Sequence, residues 1–279
     1  MDNKMINNLY QQIKSKKLAL CSLAILVTFV TICALAFLSP YDPDRIDVAN
    51  SLQSPSLSHP FGTDDMGRDY FTRALYGGRV SLSVGFCSML VSTVIGTLVG
   101  TVCGYLGGLI DNLFMRIIDV LMSIPSFFLI MTLNIYLKPN MWTIVIIISL
   151  FSWMTVARII RSETMSIKER EYITCAVSQG IRTRRIIFRH IIPNVLPSVM
   201  VASTINIAQA ILMESSLSFL GLGVQEPTAS WGSMLQNAQG YMTDVPTLAI
   251  FPGLMILLTV LSFNILGDVA RTAFEPKIQ

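Results

Sequence analysis

The sequence predicts an all-α, polytopic membrane protein of about six transmembrane helices, and three observations carry that expectation. First, 52% of residues are hydrophobic and 13% charged, with a mean hydropathy of +0.60, against about 25% charged in an ordinary soluble domain. Second, the apolar residues come in long uncharged blocks rather than scattered as a soluble core would need. Third, the basic residues are gathered into a few segments between those blocks, and the net charge is only +3. That pattern fits membrane orientation and argues against a nucleic-acid partner.

A helix needs roughly 20 residues to cross a hydrocarbon core about 30 Å thick, because every backbone polar group must be paired internally. Uncharged runs of that order lie at 18–38, 82–106, 113–137, 141–157, 195–220 and 248–267. The first follows Lys14, Lys16 and Lys17 and contains Ala34-Leu35-Ala36, which resembles a signal cleavage site. Its length of about 21 residues exceeds the 7–15 of a signal segment, so a retained anchor in the lipid bilayer is expected.

Lys and Arg resist translocation in short loops. The N-terminal Lys4, Lys14, Lys16 and Lys17, and the cluster from Arg158 through Arg161, Lys168, Arg170, Arg182, Arg184 and Arg185 to Arg189, are therefore expected in the cytosol. Residues 221–247 carry no Lys or Arg, and the turn after the third span has only Lys138; both belong outside. An even number of spans places both termini in the cytosol.

Within the spans, Gly96, Gly100, Gly104 and Gly108 recur every fourth residue, a smooth stripe suited to close helix packing or to sliding. Arg116 and Asp119 are spaced to pair on the third span. Glu214, one turn or so after Asn206 and Gln209, either lines a pathway or gate, or accepts hydrogen bonds from a neighbouring helix or the outer interface. Ionisable groups are otherwise scarce at the midplanes, unlike ion-coupled carriers. Energy for uphill transport would then come from a cytosolic partner.

Chemistry of its own is not expected of this chain. Cys21, Cys33, Cys87, Cys103 and Cys175 show no metal spacing, and neither His59 nor His190 has a second ligand at helical spacing, so no metal site is predicted. HExxH and GxSxG are absent, which speaks against a membrane hydrolase.

Residues 161–190 are charged, amphipathic and interrupted by Gly180, with Pro193 and Pro197 marking the return to the membrane. A helix, a turn and a second short helix are expected outside the bilayer. The simplest reading of such a basic loop is topology determination or contact with anionic lipid. The string EYITCAVSQGIRTRRIIFRHIIPNVLP, residues 171–197, goes further: it resembles the coupling loop of bacterial ABC importer permeases. Thr174-Cys175-Ala176 stand at that loop's Glu-Ala-Ala segment, Gly180 at its glycine and Ile191-Ile192-Pro193 at its ending, with Glu171 one turn earlier. HPFGTDDMGRDYFTRALYGGRVSL (59–82), SSLSFLGLGVQEPTASWGSML (215–235) and FNILGDVARTAFEP (263–276) resemble the peptide and nickel branch, specifically the second of its two permease subunits. Glu226 departs from that pattern, where a second proline is common.

The resemblance implies a type I ABC importer permease fold in a prokaryotic cell membrane. It implies a second homologous permease, two ATP-binding subunits that hold ATP and Mg, and an extracytoplasmic substrate-binding protein, with no cofactor in this chain. Di- or oligopeptides are the expected cargo, nickel or a metal chelate the alternative, and a free-standing channel or ion-coupled carrier a more distant one. Residues 1–81 would form the cytosolic N-terminus, first span and outer segment, and 82–279 a core of five spans with a coupling loop at about 158–194. Arg170, Glu171, Thr174, Cys175, Ala176, Gly180, Arg182, Arg184, Ile191 and Pro193 are the expected ATPase-docking residues. The loop 221–247 would meet the binding protein, with Trp231 and Tyr241 as interfacial anchors.

Overall fold

The computed structural model describes residues 11–137 and 140–274; Lys4, Lys138, Glu275 and Pro276 lie outside the described residues. Five helices among those residues are long and apolar enough to cross a membrane, and a sixth span arises if one bent pair counts as one.

Helix α1, Lys17–Ala34, follows the first apolar run. Its last carbonyls have no intrahelical partner. Arg79 meets that need, donating from Nε to Cys33 O and from Nη2 to Ala34 O, each at 2.6 Å. Helix α2, Tyr70–Leu106, is 37 residues long, about 55 Å at 1.5 Å per residue. It begins twelve residues before the expected span because Asp69 caps it, its Oδ2 accepting from Thr72 N at 2.8 Å. One unbroken helix therefore crosses position 81.

The glycine stripe ends sooner than its spacing suggests. Added Cβ atoms at Gly96, Gly100 and Gly104 would lie 2.6 Å from Val156 Cβ, 2.5 Å from Ala157 O and 2.7 Å from Arg161 O, so α2 packs there with no room for a side chain. Gly108 is not part of this face. Gly107 and Gly108 adopt φ of +65° and +59° with open space around them, a conformation that ends α2 and turns the chain.

The expected third span is two helices, α3 Gly108–Met122 and α4 Ser126–Tyr136, bent by 80°. Pro125 lies at the break, where its missing N–H and bulky ring oppose a continuous helix. Asp119 pairs not with Arg116 but with Arg158, at 2.5 Å, and Asp111 takes Arg161 in a two-pronged pair.

Those arginines extend helix α5, Met141–Lys168, eleven residues beyond the expected fourth span. Helix α6, Glu171–Ser178, and helix α7, Thr183–Ile186, form a hairpin. A π turn, Ile187–Ile191, then runs into α8, Ile192–Phe219. The expected loop 158–194 is thus mostly helical continuation of the spans that flank it. At the opposite end, residues 221–247 hold α9, Trp231–Ala238, before α10, Thr247–Phe274. Trp231 is no interfacial anchor. Its ring is fully buried among Cys33, Tyr70, Ala74 and Met234, and its Nε1 donates to Ala74 O at 3.0 Å.

Candidate functional site

The hairpin end is built on an apolar platform. Ile173 and Ala176 from α6, and Ile186, Ile187 and Ile191 beyond the turn, pack with Tyr105, Val156, Ile160 and Ile167 of α2 and α5. Lys168 reaches over the Tyr105 ring at 5.6 Å. Gly180 closes α6 in the left-handed conformation, φ +73°. Its N–H donates to Val177 O at 2.9 Å, and that of Ile181 to Ala176 O at 3.2 Å, the pair of bonds of a Schellman stop.

The ten expected docking residues divide into two groups. Arg170, Glu171, Thr174, Cys175, Gly180, Arg182, Arg184 and Pro193 are exposed. Ala176 and Ile191 are buried and hold the hairpin to the bundle. Arg170 and Arg182 stand at the N-cap positions of α6 and α7, and Glu171 lies in the first turn of α6, where the helix dipole favours a carboxylate. Beside them Tyr172 is 41%, Val177 53% and Phe188 60% exposed. Among the described residues, Arg170, Arg182, Arg184 and Arg185 form no ion pair within the chain.

The expected pathway residues are not gathered in one place. Glu214 is fully buried. Its carboxylate accepts from Ser81 at 2.8 Å, Ser218 at 2.7 Å and Ser215 at 3.4 Å, and Ser81 accepts in turn from Trp231 N at 3.2 Å. Hydrogen bonding to a neighbouring helix, not an open passage, describes its surroundings. Asn206 and Gln209 line a separate small cleft between α5 and α8.

Sequence reasoning missed the far end of the bundle. Arg68 Nε lies 2.6 Å from Asp64 Oδ2, and its Nη2 lies 3.2 Å from Glu226 Oε1. Asn237 donates to the same Glu226 oxygen at 3.0 Å, and Arg73 pairs with Asp44 at 3.3 Å. This network ties residues 42–73 to 226–237. The one signal for it was Glu226 itself, an acidic residue at a position where proline is common. Among the described residues no group of three His, Cys, Asp or Glu could hold a metal ion.

Residues 96–279 match the family described as binding-protein-dependent transport system inner membrane component, and residues 8–55 match the N-terminal TM domain of oligopeptide transport permease C. The chain is 40% identical over 271 residues to the dipeptide transport system permease protein DppC of Alkalihalophilus pseudofirmus, covering 97% of this chain and 89% of that one. It is 36% identical over 267 residues to the oligopeptide transport system permease protein OppC of Bacillus subtilis, covering 95% and 88%. It is 38% identical over 272 residues to the glutathione transport system permease protein GsiD of Escherichia coli, covering 97% and 90%. The likeness thus includes the first span.

Proposed function

The chain belongs to the family of binding-protein-dependent transport system inner membrane components, and on that premise we propose that it is one of two permease subunits of an ATP-driven importer of di- or oligopeptides. The observation that carries this reading is the hairpin. It presents unpaired charge and exposed apolar side chains at its surface, yet it runs by continuous helix into α8 on one side and is held to α5 by a two-residue link, Glu169 and Arg170, on the other. An amphipathic helix of this kind fits a groove on a soluble partner. Displacement of that partner would move α5 and α8 as rigid bodies.

In this reading the hairpin end and both termini face the cytosol, and two ATPase subunits there hold ATP and Mg. Arg170, Glu171, Thr174, Cys175, Arg182 and Arg184 meet the ATPase, while Ala176 and Ile191 transmit the load. A homologous permease completes the passage, and a binding protein docks at the opposite end near residues 221–247. The first span with its outer segment is an addition to a core permease of the remaining spans. Asn206 and Gln209 face the passage, whereas Glu214 braces α2 against α8. Peptide cargo is supported by relatives named for dipeptides, oligopeptides and glutathione, which favours it over nickel or a metal chelate.

Reconstitution in proteoliposomes tests the proposal. Peptide uptake should require ATP, the second permease, the ATPases and the binding protein together. Uptake by this chain alone, without nucleotide, would overturn it in favour of a channel or an ion-coupled carrier.

A further inference from the structure

Several hydroxyls within the spans are satisfied by their own helix: Ser92 donates to Ser88 O at 2.6 Å, Ser149 to Val145 O at 2.6 Å and Ser203 to Val199 O at 2.7 Å. Others, such as those of Thr97, Thr101, Thr164 and Thr259, are buried singly without a partner among the described residues, whereas the cleft between α5 and α8 gathers four polar side chains on one wall. It holds about 50 Å³ and is lined by Ser152, Thr155, Asn206 and Gln209 beside Val156 and Ile159. Among the described residues the side chains of Ser152, Thr155 and Gln209 form no hydrogen bond. Asn206 is only 6% exposed. Its Nδ2 donates to Ser92 Oγ at 2.6 Å, which leaves Oδ1 as an acceptor without a partner on the cleft wall.

Depth makes this arrangement costly. Ser152 and Thr155 lie about 16–21 Å along α5 from Met141, and Asn206 and Gln209 about 15–20 Å along α8 from Phe219, near the middle of a hydrocarbon layer about 30 Å thick. Thr155 and Gln209 are exposed on the chain at this depth, and polar groups turned toward hydrocarbon would cost free energy, so the wall suits a polar occupant or the passage rather than lipid. The wall carries no charge. It offers acceptors in Asn206 Oδ1 and Gln209 Oε1, a donor in Gln209 Nε2, and two hydroxyls that serve either way. A peptide bond needs that combination, an acceptor for its N–H and a donor for its C=O.

We propose that the cleft formed by Ser152, Thr155, Asn206 and Gln209 is a contact site for the backbone amides of a passing peptide. It rests on the peptide-importer reading above and adds a selection rule: the wall binds main chain and is indifferent to side-chain charge. Range of cargo would then be set before the peptide reaches the membrane.

The test uses the whole importer in proteoliposomes with peptide-loaded binding protein, and measures peptide moved per ATP hydrolysed. Thr155→Val and Gln209→Leu should each lower that ratio about threefold to tenfold, the scale of one lost hydrogen bond, and Thr155→Ser and Gln209→Asn should restore most of it. Gln209→Glu should raise transport of a lysine-rich tripeptide relative to an aspartate-rich one, compared with wild type using the same binding protein. Unchanged ratios in all of these variants would overturn the inference while leaving the importer reading intact. So would loss of the copurifying second permease in the Val and Leu variants, which would assign the wall to subunit contact. A wild-type complex that moves no peptide would overturn the importer reading, and the inference with it.

Discussion

The two ends of the bundle handle charge in opposite ways. At the cap end Arg68 and Arg73 are buried, and their partners Asp64, Glu226 and Asp44 come from separate stretches of chain. At the hairpin end Arg170, Arg182, Arg184 and Arg185 stand exposed beside Tyr172 and Phe188. A buried arginine that lost its partner would leave an uncompensated charge, so the cap end is closed on itself. Among the described residues the hairpin arginines Arg170, Arg182, Arg184 and Arg185 form no ion pair, and apolar side chains beside them are left uncovered, which is the signature of a face completed by another protein. One end holds the fold, and the other is proposed to pass force through it.

That contrast can be broken most sharply at the cap. Trp231→Ala empties the core where α1, α2 and α9 meet, and should cost about 3–5 kcal/mol, read as a large fall in the Tm of the purified complex. Arg68→Ala removes the nearer of Asp64's two arginine partners and leaves Arg73 at 3.6 Å, and should cost about 1.5–3 kcal/mol, again read as Tm. If either variant were as stable as wild type, the cap would not be the structural end.

Hairpin changes should behave differently. Gly180→Val forces a β-branched residue into the left-handed region, at about 1–3 kcal/mol of local strain. Membrane insertion should persist while the copurifying ATPase falls severalfold on a gel. Tyr172→Ser with Phe188→Ser should shift Tm by no more than about 0.5 kcal/mol equivalent, as exposed positions do, and still reduce ATPase retention. Normal retention in both would remove the docking surface from this end.

The smallest expected effect is one of pH. Burial, and then the adjacent Asp64 charge, push the Asp65 carboxyl above its ordinary value. A raised value means that the fold favours the protonated form, so stability is fullest at low pH and is lost as pH rises through the folded value. Asp65→Asn should therefore gain Tm relative to wild type as pH is raised from about 4 to 7. No gain would show that Asp65 is freely solvated.

Some of this was legible because it depends on local chain properties. The apolar runs found five of the long helices, and Gly180 found the turn of the hairpin through its backbone requirement. Other features depend on partners distant in sequence. Nothing local to Glu214 revealed that Ser81, far along another helix, would donate to it, and Trp231 reads equally well as an interfacial aromatic or a core residue. The every-fourth spacing of Gly108 was misleading, since periodicity assumes a helix and the paired glycines at 107 and 108 end it.

The sequence by itself determined that this chain lives in a membrane, roughly where it crosses, and which segment resembles a docking loop, because hydrophobic transfer and glycine or proline backbone preferences act residue by residue. Only the tertiary structure decided that α8 runs without a break through the π turn into α7 of the hairpin while α5 stops at Glu169 and Arg170 before α6. It also decided that Pro125 splits the third span, and that Asn206 and Gln209 share a cleft while Glu214 does not. Those outcomes turn on which surfaces meet, and packing and hydrogen-bond pairing are properties of pairs of segments rather than of either one.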